Sequence, residues 1–227
     1  MRVLRERLRR SQDQGRDTGM TLVELIVAMG IFTIVIAVFM GAMVTMSKNT
    51  ARAAATSRAG DELRVAFQRL DKQVRYADAI NFPGAGSGGK QYVEFRIPAV
   101  AAPSGVVTCV QWRWDPTART LAMRTWPQGG TVPAFVPMVR SALQSVDRTT
   151  SPPTPIPVFV MTPANSEHPR QALDVAISVN VNANAKVQST SSSFIARNST
   201  TDSDGNADSD ANGVSDRPAC NVAGLRP

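Results

Sequence analysis

The chain has 227 residues and a formal net charge of +7, which is enough for one medium-sized domain and an anchor. It contains one histidine, His168, and two cysteines. It lacks the HExxH, CxxC and glycine-rich phosphate motifs that mark zinc, redox and nucleotide sites. No Ser/His/Asp set is evident either, so we expect the protein not to be an enzyme.

Residues 1–19 form a basic, polar segment with no core-forming pattern. They hold six arginines and three acids, which leaves the rest of the chain at +4. Five of the arginines cluster at the start of the segment: Arg2, Arg5, Arg7, Arg9 and Arg10. Because basic residues next to a membrane anchor stay in the cytoplasm, we expect this segment inside and the residues after Met46 outside.

Residues 25–46 form a run of twenty-two residues without a charge. As a helix they would span about 33 Å, enough to cross a hydrocarbon core of about 30 Å. Glu24 directly precedes this run, at a depth where a carboxylate is costly unless it is neutralised or paired. A free α-amino group, produced by cutting the chain after Gly19, would supply a partner at the same depth.

Residues 19–24 read Gly-Met-Thr-Leu-Val-Glu, and this stretch resembles the processing motif of type IV prepilins. The resemblance implies cleavage between Gly19 and Met20, N-methylation of Met20 and an assembly role for Glu24. It also implies a prepilin peptidase/methylase, other pilins or pseudopilins, and an inner-membrane assembly platform as partners. Two details depart from the usual motif: the first mature residue is Met rather than Phe, and the leader ends in Thr-Gly rather than Lys-Gly or Arg-Gly.

Two other interpretations of the N-terminus fit less well. A secretory signal peptide has an apolar core of about 7–15 residues followed by a small-residue cleavage site. The run here is longer, and Met-Val-Thr-Met at 43–46 is a poor site. A plain signal anchor would not need an acid next to its first turn.

We expect residues 20–46 to form the transmembrane or filament-core half of a helix, and residues 47–80 its amphipathic continuation. The second half contains no proline, and Leu63, Phe67, Leu70 and Val74 recur at helical spacing on one face. That stripe needs a globular partner to cover it, and the simplest interpretation is core packing.

The remaining chain up to residue 198 predicts an antiparallel sheet domain, residues 81–198. Alternating or apolar segments between turn signals predict strands at 92–97, 106–114, 119–126, 158–161, 173–181 and 192–197. No helical pattern separates them, so the sheet should be mostly antiparallel. The predicted class is α+β, with a long N-terminal helix packed on this sheet, as the resemblance to pilins also implies.

Residues 199–227 are rich in Asp, Ser, Asn and Gly, which predicts either a disordered acidic tail or a calcium loop. Oxygen ligands at alternate positions, with Gly213 at a turn, resemble EF-hand and thrombospondin type-3 loops. The candidate ligands are Asp202, Asp204, Asn206, Asp208, Asp210, Asn212 and Asp216. The twelfth position of the second copy is Ala219 rather than Glu, so affinity should be about millimolar if calcium binds. No other cofactor is expected.

Cys109 lies in a predicted strand and Cys220 in the tail. Outside the cytoplasm a disulfide between them would persist and would tie the tail to the sheet. The alternative is a small buried thiol at Cys109 and a free Cys220.

Aromatic and basic residues share one predicted hairpin: Trp112, Trp114, Trp126, Arg113, Arg119 and Arg124. Such residues can stack on a nucleic acid or a glycan. More often they form the core and rim of a small sheet, and strand alternation sends Arg113 and the neighbouring tryptophans to opposite faces. Nucleic acid is therefore the less favoured partner.

The favoured function is that of a minor pilin or pseudopilin, processed by a prepilin peptidase, held by a single span and assembled into a filament, near its tip. Length and residues 70–76 look most like PilW-like minor pilins and J-type type II secretion pseudopilins. The alternative is an anchored adhesive or DNA-capturing tip module of a competence or surface pilus. The residues do not distinguish secretion, motility and competence systems.

Overall fold

The computed structural model describes residues 19–180, 187–220 and 226. The predicted leader, apart from Gly19, lies outside this part of the chain, as does Val181 of the predicted fifth strand. Residue contacts divide the chain into two compact units, Met1–Ala51 and Arg52–Pro227.

The helix α1 spans Leu22–Tyr76. In the first unit its residues are exposed throughout, and their large apolar side chains between positions 20 and 46 are 39–74% exposed. Within the described part of the chain, α1 is the helix that is long and apolar enough to cross a membrane.

The helix ends at Tyr76, four residues before the predicted end at Ile80. The chain turns there because the following backbone groups have partners outside the helix. The amide of Asp78 donates to the carbonyl of Arg96, and the side chain of Gln171 binds both the amide and the carbonyl of Ile80. Residues Ala79–Ile80 thereby form an edge strand instead of a last helical turn.

In the second unit, one face of α1 is buried, as the stripe predicted. The buried residues are Ala59, Leu63, Ala66, Leu70 and Val74, at spacings of three or four. Phe67 lies at the margin of this face, half-buried, with its ring centroid 5.9 Å from that of Phe194. Two alanines thus belong to the face, and their small side chains let the sheets approach the helix closely.

Twelve strands follow within the described residues: β1 Ala79–Ile80, β2 Gly84–Ala85, β3 Gln91–Ile97, β4 Thr108–Asp115, β5 Thr120–Pro127, β6 Val136–Arg140, β7 Ala142–Gln144, β8 Val146–Asp147, β9 Thr154–Pro155, β10 Phe159–Thr162, β11 Ala172–Val179 and β12 Gln188–Ile195. Every pairing among them is antiparallel. The α+β class with a long N-terminal helix packed on antiparallel sheets is confirmed.

The first sheet has the order β1-β3-β4-β5-β6, with β2 beside β3. Strand alternation places Val93, Phe95, Val110 and Trp112 in the core that includes the buried face of α1. The β4–β5 turn forms where predicted, because the Asp115 carboxylate accepts hydrogen bonds from the amides of Thr117 and Ala118.

A second sheet has the order β10-β11-β12, with β7 also pairing with β11, and β8–β9 form a separate two-stranded ribbon. β12 begins four residues before the predicted strand at 192–197. The Ser/Thr-rich stretch from Gln188 gives little strand signal, but its backbone pairs with β11 along all eight residues. Thr190, Ser192 and Phe194 lie on its more buried face.

Candidate functional site

Gly19 and Met20, the predicted cleavage pair, lie exposed directly before α1. A Cβ atom built on Gly19 would have no neighbour within 4 Å among the described residues. The backbone of Gly19 also does not adopt the left-handed conformation that favours glycine. The fold therefore does not require glycine at this position. A requirement imposed by another protein would explain why glycine is present.

Thr21 and Glu24 form a reciprocal capping box at the start of α1. The amide of Glu24 donates to Thr21 Oγ1 at 3.2 Å, and the amide and hydroxyl of Thr21 both donate to Glu24 Oε2 at 3.1 Å. This arrangement satisfies donors that the first helical turn leaves unpaired. This capping box was not predicted from the sequence, although the pattern Thr-x-x-Glu before an apolar run is its usual signal.

The capping box occupies one oxygen of the Glu24 carboxylate. Within the described residues, Oε1 accepts no hydrogen bond, while Oε2 accepts two. A local capping role and a pairing role with an amino group are therefore compatible. They are also separable by mutation, because capping needs Thr21 and pairing does not.

The C-terminal segment from Ser199 to Cys220 is ordered by polar contacts, although its composition is that of a disordered tail. Ser203 Oγ donates to the carbonyl of Asp78 at 2.6 Å. The Asn206 side chain binds both the amide and the carbonyl of Ala164, at 2.7 and 3.0 Å. Gly205 has φ +81°, and a Cβ there would lie 2.5 Å from the carbonyl oxygen of Ile80.

Two of the predicted calcium ligands take part in this anchoring. Asp204 forms an ion pair with Arg96 at 2.9 Å, and Arg96 also pairs with Asp78 at 3.0 Å. Asn206 uses its amide oxygen on Ala164, as described above. Asp204 and Asn206 therefore have protein partners, and Asp202 is exposed.

The second half of the motif is brought together. Asp208, Asp210 and Asp216 each offer a carboxylate oxygen within 4.8 Å of the others. The amides of Asn212 and Gly213 donate to Asp208, so the loop closes on that carboxylate. Hydrogen bonds from the hydroxyl and amide of Ser209 lower the pKa of Asp216 because they stabilise its ionised form.

A disulfide joins Cys109 of β4 to Cys220, with the Cα atoms 6.1 Å apart. Both residues are buried, in a small apolar cluster with Trp126. Next to the bridge, the amide of Ala219 donates to Asn81 Oδ1 at 2.8 Å. The bridge and this hydrogen bond hold the end of the 199–220 segment against the first sheet.

Glu94 of β3 is fully buried on the face of the first sheet opposite α1. Its carboxylate pairs with Arg226 at 2.5 Å and accepts a hydrogen bond from Gln111 at 2.7 Å. Gln111 in turn accepts from Arg124 at 2.7 Å. A buried charge requires such pairing, so the tail supplies a cation that the sheet needs.

The aromatic and basic hairpin is not an open stacking platform. Trp112, Trp114 and Trp126 are at most 5% exposed. The guanidinium groups of Arg113 and Arg124 both lie 4.2 Å from the ring centroid of Phe135. Burial lowers the pKa of Arg124 and raises that of Tyr92 beside it. The aromatic faces needed for base stacking are thus already covered by the protein.

Comparison with known families matches residues 15–40 to the family described as "Prokaryotic N-terminal methylation motif". Comparisons with curated proteins and with solved structures found no match. The matched segment contains Gly19, Met20, Glu24 and the start of α1. It supports a type IV pilin-like prepilin that is processed by a prepilin peptidase and assembles with other pilins.

Proposed function

We propose that this protein is a minor pilin or pseudopilin that is held in the cytoplasmic membrane by a single span and then packed into a filament. The main support is the exposed apolar surface of α1 from Leu22 to Met46, which begins within the matched processing motif, three residues after Gly19. Such a surface far exceeds what a monomer in water tolerates. Lipid before assembly, and neighbouring helices after it, would cover it.

The disulfide supports the proposed orientation. Cysteine pairs persist in oxidising compartments and are kept reduced in the cytosol. The Cys109–Cys220 bridge therefore fits a second unit outside the cytoplasm and a basic leader inside. In this orientation the cleavage site after Gly19 lies at the cytoplasmic end of the span, where the apolar run begins.

The alternative function, an adhesive or DNA-capturing tip module, has less support. Its candidate tryptophans on the β4–β5 hairpin are buried, and Arg113 and Arg124 lie against Phe135. The third candidate arginine, Arg119, donates to the carbonyl of Asn180. A pull-down separates the two functions. Filament subunits should dominate the recovered proteins for an assembly role, and DNA or a surface ligand for a binding role.

The Gly19→Ala variant should remain largely uncleaved. The peptidase would require glycine at this position, although the fold does not. Intact mass and N-terminal sequencing of the membrane fraction should show the parent chain starting at Met20 with an added methyl group. The variant should keep its leader and its membrane location.

Gly30→Ala is the matched control for that experiment. Gly30 is also a glycine with no atom within 4 Å of a built Cβ, but it lies inside α1. This control should be processed like the parent chain. Full processing of Gly19→Ala would contradict the assignment of the cleavage site.

Calcium binding by the loop at 208–216 stays a prediction. Three clustered carboxylates suit a hard cation, and the absence of a closing glutamate predicts about millimolar affinity. Millimolar calcium should slow proteolysis of this loop, and Asp208→Ala with Asp210→Ala should remove the protection. Asp202→Ala, which lies outside the cluster, should retain it. If calcium changes neither proteolysis nor melting temperature, the loop is a solvated acidic turn.

A further inference from the structure

A cleft of about 310 Å³ lies in the second unit between the last turns of α1 and the β3–β4 connection. Its apolar lining includes Ile97, Ala101 and Val110, and Arg69 and Lys72 of α1 also line it. Val100, next to Ala101, is 98% exposed. An apolar cleft whose lining residue Ala101 directly follows so exposed an apolar residue is a candidate for contact with another protein.

The charge of the cleft is positive. Its lining residues include no carboxylate. The nearby Asp71 is already paired with Arg75 at 2.5 Å. Among the described residues, Arg69 and Lys72 form no ion pair. A partner for this cleft should therefore combine carboxylates with a small apolar side chain.

The loop at 208–216 of the same chain has that chemistry. Asp208, Asp210 and Asp216 form no ion pair with any basic side chain among the described residues, and all three are at least partly exposed. Val214, in the same loop, is 49% exposed. Hydrogen bonds from Asn212 and Gly213 to Asp208 fix the loop before any partner arrives, which reduces the entropy lost on binding.

We propose that the loop at 208–216 of one copy binds the cleft at Arg69 and Lys72 of a second copy. The two surfaces differ, so the contact is head-to-tail, and contacts of this kind can be repeated without closing into a dimer. This inference rests on the proposed function, because packing into a filament brings the second units of neighbouring subunits into contact. Ion pairs set the orientation of such a contact, and burial of Val214 and the cleft wall stabilises it.

Crosslinking in membranes tests the contact with the full chain. One copy carries Val214→Cys and the other, with a different tag, carries Ser104→Cys at the cleft. Because the two native cysteines are bridged and the new thiols are on separate chains, a heterodimer band reports only the intermolecular contact. Oxidation of these membranes in the presence of a chelator, which removes competing calcium, should produce this band.

Charge reversal makes the test specific. Arg69→Glu with Lys72→Glu on the cleft copy should reduce the band at least about tenfold. Asp208→Lys with Asp210→Lys on the loop copy should do the same, and combining the two reversals should restore the band. Arg52→Glu with Arg58→Glu, on α1 but outside the cleft, should leave the band unchanged.

The inference would be overturned by the absence of a heterodimer band, by a band insensitive to reversal, or by no recovery in the combined variants. Capture of a different protein by the Ser104→Cys copy would assign the cleft to a sibling subunit and would also reject the second-copy contact. Processing at Gly19 is measured in the same membranes. A missing band with normal processing rejects only the contact, whereas an unprocessed chain rejects the proposed function first.

Discussion

The Glu24→Ala variant is expected to be cleaved and inserted like the parent chain but to be lost from filaments. In an apolar medium a carboxylate and an amino group attract strongly, and removing one partner costs about 3–5 kcal/mol. Loss of that pair between neighbouring chains would lower incorporation by about a hundredfold or more. Incorporation is measured by immunoblot, as the amount of the variant in sheared filament fractions relative to total membranes.

Thr21→Ala separates pairing from helix capping. The structure gives Glu24 a local partner in Thr21, so a purely local role would make the two variants equivalent. Loss of a capping residue costs about 1 kcal/mol, which a long apolar helix tolerates. If pairing with an amino group matters, Thr21→Ala should enter filaments and Glu24→Ala should not. Equal incorporation of Glu24→Ala and the parent chain would refute the pairing role.

Replacing both cysteines, Cys109→Ser with Cys220→Ser, should lower the free energy of unfolding of the second unit by about 4–5 kcal/mol. The bridge closes a loop with a sequence separation of 111, and the chain-entropy model assigns about this much to a loop of roughly one hundred residues. Denaturation of the full chain in detergent, followed by tryptophan fluorescence, measures the change. Proteolysis of the double variant within residues 199–220 should also be faster than in the parent chain.

Reductant provides the control for that experiment. It should destabilise the parent chain by a similar amount and leave the double variant unchanged. Non-reducing peptide mapping of the exported parent should recover the Cys109–Cys220 pair. Quantitative alkylation of both thiols without reductant would show that the bridge does not form in the cell.

The helix and the central strands could be predicted because their signals are local. An uncharged run, a stripe at helical spacing and apolar alternation in β3 and β11 each lie within one element. The end of α1 could not be predicted in this way. It depends on Gln171, ninety-one positions from Ile80, which binds the backbone where the helix would otherwise continue.

The ordered tail could not be predicted from composition. Its contacts are made by small polar side chains to distant backbone groups, such as Asn206 to Ala164 and Ser203 to Asp78. Nothing in a run of Asp, Ser, Asn and Gly indicates where such a segment will dock. The same contacts divide the predicted calcium ligands, because Asp204 and Asn206 bind protein groups while Asp208, Asp210 and Asp216 remain together.

Short strands were missed for a different reason. Strands β7, β8 and β9 have two or three residues each, and β6 and β9 contain proline. Such segments are too short to show a clear alternation of apolar and polar residues. β6 and β7 are fixed by pairing with the longer strands β5 and β11, whereas β8 and β9 pair with each other.

The burial of Glu94 has a consequence for export. If the chain crosses the membrane from its N-terminus, β3 and β4 emerge long before Arg226 and Cys220. Until they arrive, the Glu94 carboxylate lacks its cation and Cys109 lacks its sulfur partner. In that order of export, the first sheet lacks the sulfur partner of Cys109 until a residue 111 positions later in the chain has crossed. Under the proposed orientation, a chain truncated before Cys220 would leave this sheet incomplete and open to extracytoplasmic proteases.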